Sequence, residues 1–533
     1  GMASCGALSL ILEHVHDPSN RVQGLTMNDL QRIERDVEQV KMLFSLLTQQ
    51  VGTLAPGDLQ FDTHLGTLVA TFNEHRAFFS SWLDEVEKLL PVLPELLGIG
   101  HPAQYLIEML DSTELRPGGG FIGNYGIATL SGGRLTAAHI SDVYLFDRPF
   151  EQAGHHLPLP SAYTWFSRYQ LLTSWNLRDS NLDADFPTTA QNAERNYALE
   201  GGNIPVQGVI AITPTFISHV LKITGPISIP EYAETVTAQN LVSRIHYHQL
   251  GPGREGEDVP APDGHSSVRK HFTELLAEHF LARVRQLPAS ALPTFLQVVQ
   301  NAMLSRDVQL YFNVPIAEDV LHLTHIDGAI ATPGSDSLFV VDANVGGDKA
   351  NAFITNTMSD QVTLDAAGNA THHTTLNYAW LAPGNVYGNP IYEDYLRIYV
   401  PPGSILHMQS GWEPQGTSGA FGREVWAGFF TLTQSQTRTI TLVWTVPHAA
   451  QKNTQGWQYQ YLVQHQAGTR WMLHLQVALP LCALVKNTGS EVIRGNDLVK
   501  KLDRVLSEDV SVEMSYKCTA LSKSALASPR ADF

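Results

Sequence analysis

The sequence predicts an α/β core flanked by an N-terminal helical hairpin and a C-terminal β-sandwich. Three observations predict it. Apolar residues recur every three or four positions before residue 100, short apolar runs alternate with helical stretches over 101–334, and turn-bounded strand patterns fill 335–480. The chain has 533 residues, 43% of them hydrophobic, which is enough for several domains with cores of their own. The expected divisions are 1–100, 101–334, 335–480 and a segment 481–533 that packs on the domains before it.

In the hairpin, Leu30, Ile33, Val37, Val40, Phe44 and Leu47 form one helical stripe. Thr26 or Asn28 is placed to cap it. Gly52 and Pro56 break the pattern, and Leu65, Leu68, Phe72, Phe79, Leu83, Val86 and Leu90 form a second stripe. Two such helices read as an antiparallel spacer or packing arm, with a partner-binding coiled coil as the alternative. In the core, the runs Tyr105–Leu110, Tyr125–Leu130 and Val209–Ile212 read as strands, and His271–Arg285 as a helix. In the sandwich, Ser337–Val341, Gln361–Leu364, Tyr395–Val400, Thr437–Thr445 and Trp457–His465 read as strands between Gly, Pro and Asn turns.

A net charge of −18 argues against general nucleic-acid binding, which needs a basic field. The cysteines are Cys5, Cys482 and Cys518. They form no CxxC pair, so a zinc ribbon and a dense disulfide framework are excluded. A Cys482–Cys518 bridge and three free thiols both remain open. No run approaches the roughly 18 apolar residues of a membrane helix. Gly1 ahead of Met2 reads as an added residue, so an anchor is expected outside this sequence.

The densest unusual segment runs from Glu114 through Arg116, Pro117, Gly118, Gly119 and Gly120 to Gly123. Its glycines fit GxGxxG, but a strand-like run follows where a dinucleotide site needs a helix. Two readings remain: a tight turn with Arg116 on a local carboxylate, or a cradle where backbone N–H groups and a guanidinium meet a phosphate. A second segment, Trp175–Pro187, holds Arg178 and Asp179, then Asn181, Asp183 and Asp185. Ala184 and Ala190 stand where an EF-hand needs Gly and Glu. A looser divalent site and a self-capping turn both remain.

Arg178 beside Asp179 joins an anion binder to a metal ligand, as phosphoryl chemistry requires. Between Lys88 and Lys222 there is no lysine, yet six arginines occur: Arg116, Arg134, Arg148, Arg168, Arg178 and Arg195. Arginine's planar fork suits phosphate. Arg269 and Lys270 open the helix ending at Arg285 and are placed to add to the same pocket. His246 and His248 lie two apart on an expected helix and point to different faces. There is no HExxH and no GxSxG elbow.

These motifs resemble the domain-of-unknown-function 4012 family of bacterial surface proteins. The resemblance rests on Tyr105–Ile107 with Glu114–Gly123, Leu177–Asn181 with Asp185–Pro187, Gly208–Ala211, Gly225–Ile227, Val341–Asn351 and Tyr395–Pro401. The core in turn resembles the LytR–CpsA–Psr phosphotransferases, an α-β-α sandwich. That resemblance implies an extracytoplasmic cell-envelope protein near the membrane. It would bind or process a polyprenyl-linked (pyro)phosphate or cell-wall glycopolymer, as phosphotransferase or pyrophosphatase.

Glu114 and Asp179 would be the catalytic residues. Arg116, Gly119, Gly120, Arg178 and Arg269 would bind phosphate. Glu114, Asp179 and Asp183 would hold Mg²⁺. Glu114 stands where that family carries aspartate, and no arginine follows Gly120. The alternative is a non-catalytic surface protein of the same fold that binds glycan, lipid phosphate or a protein partner. In that case the arginines would pair with internal carboxylates.

Overall fold

The computed structural model describes residues 24–53, 63–170, 172–250, 270–332, 334–381, 391–486, 492–494 and 499–518. It is a mixed α/β structure with several sheets and a strand-rich C-terminal region. Among the described residues no helix is long and apolar enough to cross a membrane.

Helices α1 (Met27–Thr53) and α2 (Thr63–Leu89) form the N-terminal arm. Thr26 caps α1: its hydroxyl accepts from the Asp29 N–H at 3.3 Å, and the Asp29 carboxylate accepts from the Thr26 N–H at 2.9 Å. Phe44 meets Phe72 at 5.6 Å between ring centroids, and Lys41 pairs with Asp84 at 2.7 Å and with Glu87. The arm is rooted by Leu25, Leu30, Ile33 and Ile99. The expected inner stripe holds as far as Phe44 and then departs. Thr48 and Val51 turn inward while Leu47 is exposed, because 3.6 residues per turn drifts away from an unbroken alternation of three and four. Phe79, also expected inside, is half exposed. A short α3 (Leu93–Leu97) ends at Gly98 (φ +66°), and the chain enters the core.

The core sheet contains β1 (Ala103–Asp111), β2 (Phe121–Ser131), β3 (Arg134–Asp142), β4 (Gly208–Ile212) and, after two short strands, β7 (Val308–Phe312). The short strands β5 (Ile227–Ile229) and β6 (Glu234–Val236) pair with each other. The order is β3-β2-β1-β4-β7, with β1 and β4 parallel and the other neighbours antiparallel. Successive side chains of a strand face opposite ways, so the sheet has two apolar faces.

One face, with Leu106, Leu110, Ile122 and Val209, packs against α4 (Val143–Gln152) and α5 (Phe186–Leu199). The other, with Met109, Ile212 and Leu310, packs under α6 (Pro214–Thr224), α7 (Leu241–Leu250), α8 (His271–Arg285) and α9 (Leu292–Leu304). Helix α10 (Pro315–Leu323) follows β7 and joins Leu96 at the arm's root.

The C-terminal region holds two large sheets. One contains β9 (Thr355–Leu364), β10 (Ala370–Trp380), β12 (Ile405–Ser410), β15 (Gln436–Val446), β18 (Trp471–Ala478) and β21 (Val499–Leu506). The other centres on β8 (Asp336–Val341), flanked by β11 (Ile391–Val400) and β17 (Trp457–Gln464). Its outer strands are β13 (Glu413–Ala420), β14 (Arg423–Thr433), β16 (Ala450–Lys452), β19 (Ala483–Lys486), β20 (Val492–Arg494) and β22 (Val510–Cys518). Their inner faces share one apolar core that includes Trp380, Trp426, Trp444 and Trp471, the arrangement of a β-sandwich. Cys482 and Cys518 form a disulfide where β19 meets β22.

Candidate functional site

The glycine-rich segment joins β1 to β2 and serves as a seat between domains. Gly118 N–H donates to the Asn181 carbonyl at 3.2 Å, Gly119 N–H to the Arg116 carbonyl at 2.9 Å, and Phe121 N–H to the Glu114 carbonyl at 2.9 Å. Asn181 Nδ2 donates to the Gly120 carbonyl at 2.5 Å, and Gln309 Nε2 to the Gly118 carbonyl at 3.0 Å. Gly119 has φ +118°, and a Cβ there would meet Ala467 of the sandwich at 2.9 Å. Gly120 has φ +150°, and a Cβ would meet the Asp111 carbonyl group at 2.5 Å. Both glycines are therefore required by the chain's own close packing.

Arg116 is 3% exposed. Its Nη2 meets Glu114 Oε1 at 2.9 Å, and its Nη1 donates to the Asn344 carbonyl at 2.8 Å. Its guanidinium lies over the rings of Phe121 and Phe166. Arg178 reaches Asp147 at 2.9 Å, Glu151 at 2.7 Å and Asp179 at 3.4 Å. Burial pushes the Asp179 carboxyl up, and the Arg178 and Arg116 charges pull it back. Glu114 and Arg116 thus lie close enough to act on Asp179, and both guanidinium groups face protein carboxylates. Asp147 is pushed well up by burial and by Glu200 beside it.

Asp183 sits apart. It accepts from Tyr163 Oη at 3.3 Å and from the Asp185 N–H at 3.0 Å, and burial raises its pKa. Asp185 caps α5 by accepting from the Thr188 N–H. No group of three or more His, Cys, Asp or Glu side chains able to hold a metal ion occurs among the described residues. Glu114, Asp179 and Asp183 form no such group: Glu114 neutralises Arg116 and Lys349, and Asp179 pairs with Arg178. The donor set therefore does not fit Mg²⁺. Arg269 lies outside the described residues.

The arginine-rich stretch has an internal explanation. Arg116 lies over Phe121, Arg148 and Arg178 over Tyr144, and Arg195 over Trp175. A planar guanidinium stacks on aromatic faces and forks onto carboxylates, which an ammonium does less well.

Beside this seat, between β1–β2 and helices α6–α8, opens a cleft of about 200 Å³. Its apolar lining includes Met109, Phe121, Ile217, Val242, Ile245 and Leu250. Its charged lining is Asp111, Glu114, Lys270, Asp348 and Lys349. Lys349 pairs with Asp111 at 2.6 Å and with Glu114 at 3.5 Å, and it belongs to the loop after β8. Lys270 pairs with Asp142 at 2.7 Å and donates to the Gly123 carbonyl at 2.5 Å.

The Lys349 ammonium beside it holds Asp111 well below the usual carboxylate range despite its burial. An ionised Asp111 accepts from the Thr113 hydroxyl, which leaves the Thr113 oxygen to accept from His246 Nε2 at 2.9 Å. Sequence reasoning missed Asp111, His246 and Lys349 as cleft residues, because they are brought together from three separate segments. The one available signal was Lys349, inside the Val341–Asn351 motif of a lysine-poor chain.

Residues 101–249 match the family model described as protein of unknown function, DUF4012. The matched segment contains β1–β6, the glycine-rich seat and helices α4–α7. A search of curated proteins finds no match to the chain. Among solved structures, a protein assigned as nutrient-binding from Legionella pneumophila aligns at 9% identity and TM-score 0.20, over 33% of this chain and 70% of that one. The M1 zinc metallopeptidase from Deinococcus radiodurans, as a variant bound to a Tyr-Ser-Ala substrate, aligns at 12% identity and TM-score 0.17, over 29% of this chain and 40% of that one. Neither likeness bears on the activity of this chain.

Proposed function

We propose that the protein is a non-catalytic component of the cell envelope, outside the cytoplasm, whose α/β cleft binds a lipid-linked sugar phosphate. The observation that carries this reading is that one cleft is lined by both apolar side chains and charged groups. The carboxylates would accept bonds from sugar hydroxyls, and Lys270 and Lys349 would share their ammonium groups between a phosphate and their partners Asp142, Asp111 and Glu114. An apolar wall suits an isoprenyl chain. The resemblance of the core to the LytR–CpsA–Psr family points to the same ligand class.

Turnover is a different matter. Phosphoryl transfer needs cationic groups that neutralise the transferring phosphate. Arg116 and Arg178 are already engaged by Glu114, Asp147, Glu151 and Asp179. The reading is therefore binding without processing.

Thermal melts with farnesyl phosphate, farnesol and glucose 1-phosphate test it. Farnesyl phosphate raises the melting temperature equally in Mg²⁺ and in EDTA, and the shift vanishes in Val242→Trp, which fills the apolar wall. No shift in wild type, or an equal shift in Val242→Trp, overturns the cleft. Release of inorganic phosphate in Mg²⁺ overturns the absence of turnover.

A further inference from the structure

The arm is charged at its root and apolar at its far end. Residues 27–38 of α1 carry Asp29, Arg32, Glu34, Arg35, Asp36 and Glu38, whereas residues 39–53 carry one charge, Lys41. That lysine is engaged by Asp84 and Glu87 across the hairpin. In the same far half, Met42, Leu43, Leu46 and Leu47 are 57%, 54%, 49% and 49% exposed. They share the face of α1 turned away from the Phe44–Phe72 contact, since 3.6 residues per turn brings 42, 43, 46 and 47 together. Phe79 of α2 is 50% exposed beside them, its ring 6.4 Å from Phe44. Isolated exposed leucines are ordinary, but a contiguous uncharged cluster marks a docking surface.

We infer that this face pairs with the same face of a second copy, so that two hairpins form a four-helix bundle. The area supports a second copy. Each half-exposed Leu, Met or Phe offers roughly 100 Å², so five give about 500 Å² per copy and about 1000 Å² across the pair, the threshold for a specific interface. The charge pattern supports it as well. A two-fold interface sets each patch against itself, so an uncharged patch meets no like-charge repulsion. A lipid surface fits less well, because interfacial helices carry Lys and Arg around their apolar face. Here the one lysine in residues 39–53 is paired, Arg76 of α2 lies in the groove with Lys41 and Thr48, and the chain is at −18.

Sedimentation equilibrium of the full chain tests the inference. The wild type dimerises, and Leu43→Lys/Leu46→Lys weakens the dimer at least tenfold with an unchanged melting temperature of the sandwich. The milder Leu43→Ala/Leu46→Ala weakens it less and controls for misfolding. A wild type that stays monomeric at 100-fold dilution steps up to saturation overturns the inference. So does a dimer unaffected by either double variant, and so does a monomer that co-sediments with phosphatidylcholine vesicles through this patch.

Discussion

The Arg116 guanidinium donates to the Asn344 carbonyl at 2.8 Å, across 228 residues of sequence. Asn344 N–H returns a bond to the Leu115 carbonyl at 3.0 Å, so the loop after β8 and the glycine-rich seat grip each other. Gln466 adds to the joint: its side chain accepts from the Asp342 N–H at 2.8 Å and donates to the Arg116 carbonyl at 3.3 Å. The residues that look most catalytic in the sequence therefore hold the α/β core against the sandwich.

Arg116→Ala leaves Glu114 without its buried partner and the Asn344 carbonyl without its donor. Breaking one side of a buried ion pair costs about 3–5 kcal/mol. The expected result is a loss of that size in chemical denaturation, with Arg116→Lys recovering only part of it. A neutral substitution would mean that the joint contributes nothing.

Gly468 lies in the turn between β17 and β18 with φ +77°, and a Cβ there would collide with the Gly119 carbonyl oxygen. Gly468→Ala therefore forces the two domains apart at the seat. Backbone strain of this kind costs about 1–3 kcal/mol. Proteolysis should speed up at the domain junction in Gly468→Ala and stay unchanged in Gly403→Ala. Gly403 also has a positive φ (+77°) but has open space around it.

His372 is buried between Asp336 at 3.0 Å and Asp360 at 2.9 Å, with Trp444 stacked on its ring. Burial alone lowers its pKa, but the two carboxylates overcome this and raise it from 6.5 to about 10. A folded-state pKa above the unfolded one gives stability that is complete below pH 6.5 and is lost as pH rises through about 10. Urea midpoints should fall between pH 7 and pH 10 in the wild type. His372→Gln should lower stability by about 3–5 kcal/mol at pH 7 and flatten that slope. A parallel slope in the variant would assign it to other groups.

Glu108 lies in β1 among Leu106 and Leu110, and neither carboxylate oxygen has a hydrogen-bond partner. Burial pushes its pKa from 4.5 up to about 8. The protonated form is thus favoured in the fold. Its contribution is complete below pH 4.5 and is lost as pH rises through about 8. Glu108→Gln keeps the shape without the charge. It should stabilise the protein by roughly 2–4 kcal/mol at pH 9 and change little at pH 5. Equal effects at both values would count against a buried, ionising Glu108.

Much of the architecture was legible in the sequence, because it depends on local periodicity. The stripe from Leu30 to Phe44 marks α1, and the run His271–Arg285 is α8. The runs beginning at Tyr105, Val209, Ser337 and Tyr395 fall within β1, β4, β8 and β11. Spacings of 3.6 and 2 residues are intrinsic to a chain that must bury one face of each element. The Glu114–Gly123 motif was likewise visible as a place of close backbone approach.

What approaches that backbone was decided only by the tertiary structure. Ala467, Gly468 and Asn344 press on the seat from more than two hundred residues away, and periodicity does not encode such distances. The same holds for the arginines. The sequence determined that guanidinium groups would cluster between residues 116 and 195. The fold decided that they meet Glu114, Asp147, Glu151 and the rings of Phe121, Tyr144 and Trp175. A guanidinium's partner is set by which acceptor reaches it in space, and that depends on packing between domains.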